Sequence, residues 1–251
     1  MAMTPVDIQH LLYEDQDGEV IGLNEVQLLD PPPVERIPAV KSLLHDEDLY
    51  LVFHAAIVLA AWGVDEGLEK IEEMIDKEVH TIMEFVPHRI ESYDNVYDEF
   101  AYAVRLYGLS GGSIADRDRI YSKLLSLYGK VRFQGHLKSA LLREEGHEFV
   151  AETITAIERA LSYGHEYIAS QLLPVLARWR PEKAWEMIPR FRRTSRQTPD
   201  PAANVAEALG YIDTAESKKL LSEYLKHKGG GVAEEARRSL IKLGGLEPGI
   251  S

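Results

Sequence analysis

The sequence predicts an all-α fold, an α-α superhelix of about six helical pairs, and three observations carry that expectation. Apolar residues recur at helical rather than strand spacing along most of the chain. The helical segments are short, about three or four turns each, and proline and glycine punctuate them. One phrase also recurs. "VLAAWGVDEGLEKI" at 58–71 and "VLARWRPEKAWEMI" at 175–188 share Val, Leu, Ala, Trp, Glu and Ile at matching places, 117 residues apart.

Residues 1–32 do not fit the recurring pattern and are expected to form an atypical capping segment, because a row of stacked hairpins must hide its terminal apolar face. Within it, "TPVDIQHLLYE" reads as a capping helix and "GEVIGLNEVQLLDPPP" as an extended piece broken by prolines. In "DLYLVFHAAIVLAAWG", Leu51, Ala55, Val58, Leu59 and Trp62 form a buried helical stripe. Asp46 is expected to cap that helix, with Glu47 and Asp48 favouring its positive end. In "NVYDEFAYAVRLYG", Val96, Phe100, Ala103, Val104 and Tyr107 make a second stripe, which leaves Tyr97 off it. Pro181, Pro199 and Pro201 mark helix starts. Gly63, Gly108, Gly146 and Gly164 are placed to end helices.

Aligned on Leu59, the register positions are Leu59, Val104, Leu142, Leu176, Leu209 and Leu240, spaced 45, 38, 34, 33 and 31 residues apart. Three residues further on stand Trp62, Tyr107, Glu145, Trp179, Ile212 and Leu243, with the acid at 145 marking the poorest match. Trp185 is likewise assigned to an apolar repeat slot. Each unit is then a pair of short antiparallel helices that cannot enclose its own apolar stripe and must cover its neighbour. The array is expected over 33–245, with a tail at 246–251.

The stretches "AAIVLAAWGVDEGLEKI", "VAEALGYIDTAESKKLLSEYL" and "GVAEEARRSLIKLGG" carry a resemblance to HEAT-type helical repeats, and the last two resemble the short, phycobilisome-lyase-type form. The likeness is good over 33–78 and 165–245 and poor over 110–160. It implies fold and an interaction scaffold, and the motif itself says little about activity.

Composition narrows the class. The chain is 45% hydrophobic and 27% charged, which fits a folded protein, and it has no cysteine, so disulfides and thiolate metal sites are excluded. The start lacks a basic segment followed by an apolar run, and the longest apolar run, 55–64, is too short to cross a bilayer, so a cytoplasmic protein is expected. Charge is unevenly placed. Residues 1–110 hold 23 Asp/Glu and 6 Lys/Arg, and residues 111–251 hold 18 and 22. An acidic half repels nucleic acid and attracts basic partners.

Most motif-like stretches reduce to turns. "DQDGEV" at 15–20 begins like a calcium loop, but its twelfth position is Val26 rather than the required glutamate. "KHKGGGV" lacks phosphate-loop spacing, and the basic run "RFRRTSRQT" at 190–198 reads as a solvated turn. "GHEF" at 146–149 and "GHEY" at 164–167 resemble the His-Glu iron ligands of deoxyhypusine hydroxylase, a HEAT-repeat enzyme, but that family has four such pairs at equivalent repeat positions. No metal, cofactor or catalytic residue is therefore expected. The long second unit carries an insertion around "FVPHRIESYDNVYDEFAY", and insertions in repeat arrays fall on loops, often on the binding side.

The expected function is non-catalytic: a scaffold whose acidic N-terminal half binds a basic protein. The candidate contacts are Asp46, Glu47, Asp48, Glu91, Tyr93, Asp94, Tyr97 and Asp98. A concrete version is a bacterial immunity protein, a toxin inhibitor that covers a basic catalytic surface. The alternative is a HEAT-repeat enzyme or lyase-type chaperone, a metal hydroxylase or a bilin-attaching helper. Nucleic-acid binding is not expected: a net charge of +4 over 111–251 is thin, and Trp179 and Trp185 are assigned to apolar slots.

Overall fold

In the computed structural model, residues 4–87, 93–144, 149–191, 200–228 and 230–244 are described, and among them every regular element is helical. Short contacts of β-bridge type, such as Glu14 with Val20, occur singly. The chain divides into two units, residues 1–124 and 125–251.

In the first unit, α1 (Pro5–Tyr13) starts at a reciprocal cap. The Thr4 side chain accepts from the Asp7 amide, and the Asp7 carboxylate accepts from the Thr4 amide at 2.9 Å. The stretch expected to be extended instead holds a single helical turn, α2 (Leu23–Val26), because Val26 is drawn fully into the core. α3 (Ile37–Leu43) leads to α4 (Leu49–Ala61), the centre of the unit. α4 carries no charged residue, and every position from Val52 to Ala61 is buried, so it is covered on all sides rather than along one stripe. It ends at Gly63, whose φ of +77° suits glycine, and the Val64 amide reaches back to the Leu59 carbonyl at 2.9 Å.

α5 (Asp65–Asp76) is amphipathic and turns Leu68, Ile71, Met74 and Ile75 toward α4. Gly67 sets the spacing: a Cβ there would lie 2.4 Å from the Ala60 nitrogen. α6 (Val96–Leu109) also packs on α4. Gly108, expected to end this helix, lies inside it, and the chain turns instead at Gly111, with φ of +88°. α7 (Ile114–Leu127) follows.

The second unit contains α8 (His136–Leu141), α9 (Val150–Ser162), α10 (Glu166–Gln171), α11 (Leu173–Trp179), α12 (Pro181–Met187), α13 (Ala202–Leu209), α14 (Ala215–Tyr224) and α15 (Gly230–Lys242). Pro174 supplies no amide donor, and the run 166–179 breaks into α10 and α11 just before it. α11 packs on α9, α12 and α13, and α13 packs on α11, α14 and α15. Within this unit α11, α13 and α15 thus pack in succession. Five of the six register positions, Leu59, Val104, Leu176, Leu209 and Leu240, are buried. Leu142 is half-buried and lies just past α8, in keeping with its poor match.

Three arginines share one structural role. Arg36 donates to the carbonyls of His10, Glu14 and Asp15 at the end of α1. Arg159 donates to those of Leu125 and Tyr128 at the end of α7, and Arg178 to those of Leu141 and Glu144 at the end of α8. The last carbonyls of a helix lack intrahelical donors and sit at its negative end, so a guanidinium satisfies both needs.

Candidate functional site

The acidic loop before α4 is partly structural. Asp48, not Asp46, caps the helix, accepting from the Tyr50 amide at 2.9 Å, because the helix starts at Leu49. Asp46 accepts from the Asp48 amide at 2.9 Å and holds that cap in place. Glu47 is exposed between them. Behind the loop lies an aromatic cluster centred on the buried His54. The His54 ring packs against Tyr50 at 4.2 Å and edge-on to Tyr13, whose hydroxyl lies 2.6 Å from His54 Nδ1. Burial pushes the imidazole pKa down to about 4, against a smaller upward pull from Asp48.

The insertion places its candidates differently from expectation. Glu91 lies outside the described residues. Tyr93 is half-buried. Asp94 accepts from the amides of Phe85 and Val86 at 2.9 Å and of Val96 at 3.0 Å, so one carboxylate pins the loop on which α6 begins. Tyr97 is 1% exposed, which corrects its expected place off the core stripe. α6 packs against both α4 and α5, so its apolar coverage is wider than one stripe, and the Tyr97 hydroxyl meets His80 Nδ1 at 2.7 Å. Asp98 is also 1% exposed and offers no surface carboxylate. Of the eight sequence-predicted contacts, Asp46, Glu47 and Asp48 stand together at the surface, and the insertion does not add an exposed tyrosine face to them.

The cations of the first unit are largely committed. Lys41 pairs with Glu66 at 2.8 Å, Lys70 and Lys77 both pair with Glu73 at 2.5 Å, and Arg119 and Lys123 hold Glu72 at 2.9 and 3.0 Å. Lys70 and Lys77 pull the Glu73 pKa down to about 2. A cleft of about 410 Å³ between α3 and α5 is lined by Lys41, His45, Lys70 and three glutamates, of which Glu66 and Glu73 are paired with the two lysines and Glu69 has no ion-pair partner among the described residues. Asp17, Glu19, Glu35, Glu47, Glu69 and Glu84 are exposed, and none has an ion-pair partner among the described residues.

In the second unit, α8, α13 and α15 share a half-buried charge cluster. Lys138 pairs with Glu207 and donates to Asn204 at 3.1 Å, and the Lys242 ammonium lies 2.9 Å from the centre of the Tyr211 ring. Burial, then the nearby Glu207, raises the Glu235 pKa, and burial lowers that of Lys242. Opposite charges here answer one another across the helices.

A different character marks a groove of about 540 Å³ between α12 and the loop entering α14. It is lined by Pro181, Glu182, Trp185, Glu186, Ile212, Asp213, Thr214 and Glu216, with four carboxylates and no basic side chain. Trp185, assigned from sequence to an apolar slot, is 37% exposed, whereas Trp179 is 8% exposed. The buried face of this segment is Ala184, Met187 and Ile188, and Trp185 falls off that i, i+3, i+4 stripe. That spacing, applied to "PEKAWEMI" by itself, is the signal that would have found the groove.

Of the two His-Glu pairs, His147 and Glu148 lie outside the described residues. His165 uses Nδ1 on the Gly129 carbonyl at 3.0 Å and starts α10, while Oε2 of Glu166 is buried without a hydrogen-bond partner. Among the described residues no group of three or more His, Asp or Glu side chains is placed to hold a metal ion, and no helix is long and apolar enough to cross a membrane. Compared with known proteins, the chain matches no family model, no curated protein and no solved structure.

Proposed function

We propose that this chain is a non-catalytic protein-binding scaffold of HEAT-like character, with its hairpins stacked as an α-α superhelix of about six pairs and its acidic N-terminal half engaging a basic protein. The observation that carries this reading is the charge state of the first unit. Residues 1–124 hold 25 acids against 9 bases, and Lys41, Lys70, Lys77, Arg119 and Lys123 are already bound to carboxylates. The exposed carboxylates Asp17, Glu19, Glu35, Glu47, Glu69 and Glu84 have no ion-pair partner among the described residues, and their field is negative. Such a field steers a basic partner and raises its association rate, an effect that falls with ionic strength. The concrete form we favour is an immunity protein that covers the basic surface of a toxin.

The test is affinity capture and association kinetics with the basic product of the neighbouring gene, at low and high ionic strength. The Glu47→Lys/Glu69→Lys double variant, which touches no cap, is expected to slow association about tenfold or more at low salt. Salt-independent association, or capture unchanged by the double variant, would overturn the proposal.

A further inference from the structure

We infer that the groove between α12 and the loop entering α14 takes an arginine side chain from a basic protein segment. The inference goes beyond the preceding proposal, because it rests on the second unit and on a different observation.

The chain has three tryptophans, and two are kept from water: Trp62 and Trp179 are 4% and 8% exposed. Trp185 is 37% exposed, beside a cavity of about 540 Å³. An indole at a concave surface offers a large flat face, and such residues dominate the energetics of protein interfaces. What surrounds the indole selects the ligand. Glu182, Glu186, Asp213 and Glu216 line the groove, and no basic side chain does. Glu186 pairs with Lys183 at 3.1 Å and Asp213 with Lys218 at 2.7 Å, and both lysines lie outside the lining. Glu182 and Glu216 have no ion-pair partner among the described residues. Each stands in the first turn of its helix, α12 and α14.

Four carboxylates repel an anion and leave a neutral ligand nothing to exchange for their hydration. A cation gains from both the carboxylates and the ring. Guanidinium suits the groove better than ammonium: it is planar, stacks on an indole, is less tightly hydrated and presents a fork that matches a carboxylate. The same charges disfavour free arginine, whose own carboxylate would face them, and nucleic acid through its phosphates. The occupant is therefore an arginine within a polypeptide.

The experiment uses the full chain and calorimetric titration with three probes: an acetylated, amidated tri-arginine peptide, its tri-lysine counterpart and free arginine. Saturable binding of the arginine peptide is expected, about tenfold weaker for the lysine peptide and weaker still for free arginine. Trp185→Ala and the Glu182→Gln/Glu216→Gln pair, all at exposed positions, are each expected to weaken it about tenfold, while Glu47→Lys/Glu69→Lys in the first unit leaves it unchanged. The emission of Trp185, the most exposed tryptophan, gives a second readout. Equal affinity for the lysine and arginine peptides, indifference to the groove variants, or equal loss in the first-unit variant would each overturn the assignment, the last by showing that net charge alone holds the peptide. Loss of partner capture in the first-unit variant with intact peptide binding separates this site from the proposed function.

Discussion

The Tyr13 hydroxyl lies 2.6 Å from Nδ1 of His54 and ties α1 to the centre of the first unit. The ring is 5% exposed, enclosed by Tyr13, Tyr50 and Phe53, and its pKa falls to about 4. The folded state therefore takes no proton there until about pH 4, whereas an unfolded histidine takes one near 6.5. Between those values the unfolded state binds more protons, so stability falls as pH falls. The contribution at stake is up to about 3 kcal/mol, the shift multiplied by 1.36 kcal/mol per unit. Urea denaturation between pH 7 and pH 4 is expected to show this slope, and His54→Gln to flatten it. An unchanged slope in the variant would remove His54 as the cause.

Arg36 is 4% exposed and contacts three carbonyls rather than a carboxylate. Arg36→Met keeps much of the aliphatic stem but strips donors from the end of α1. It is expected to cost about 3 kcal/mol, in the range for charged hydrogen bonds, and to loosen α1 first. Hydrogen exchange across residues 5–13 checks the second part: protection lost evenly over the unit would count against a local clamp.

Gly67 sits in the first turn of α5, where alanine would normally gain at most about 1 kcal/mol in helix propensity. Here the added methyl meets backbone, 2.4 Å from the Ala60 nitrogen. Gly67→Ala is expected to lower stability by about 2 kcal/mol despite the propensity gain, as α5 is pushed off α4. A thermal melt at or above the wild-type midpoint would contradict the close approach.

Glu78 follows α5 with φ of 46°, the described non-glycine residue in the left-handed region, and is exposed. It also places a negative charge at the negative end of the helix. Glu78→Gly is expected to raise stability by about 1 kcal/mol, because glycine adopts this conformation without the Cβ penalty. Chemical denaturation reads the change directly, and a neutral or destabilising result would mean that the Glu78 side chain has a stabilising contact.

Asp94 distinguishes a structural from a docking role for the insertion. Its carboxylate holds three amides, so Asp94→Ala is expected to cost about 2–4 kcal/mol by leaving donors unpaired. At a temperature where the variant is folded, partner association should be unchanged. Slower association with unaltered stability would reverse that assignment.

The readable part of the site and the hidden part differ in kind. Glu47 could be placed at the surface from sequence because a helix cap keeps its neighbours exposed, although the cap itself moved from Asp46 to Asp48. Tyr97 could not be placed, because its burial depends on α6 touching two helices at once. Trp185 was readable only from the spacing of Ala184, Met187 and Ile188, and its assignment to an apolar repeat slot concealed that local pattern.

By itself the sequence determined the helical class, the start of α12 at Pro181, the turns at Gly63 and Gly164, and the burial of Leu59, Val104, Leu176, Leu209 and Leu240. These follow from local rules: a period of 3.6, a missing proline amide, and the freedom of glycine at positive φ. Tertiary structure alone decided that α4 is covered all round, that Asp94 pins a loop, that Gly108 lies within a helix and that four carboxylates meet beside one exposed indole. Periodicity marks one face that must be hidden. Which other faces are covered, and what gathers where they are not, depends on segments brought together from distant parts of the chain.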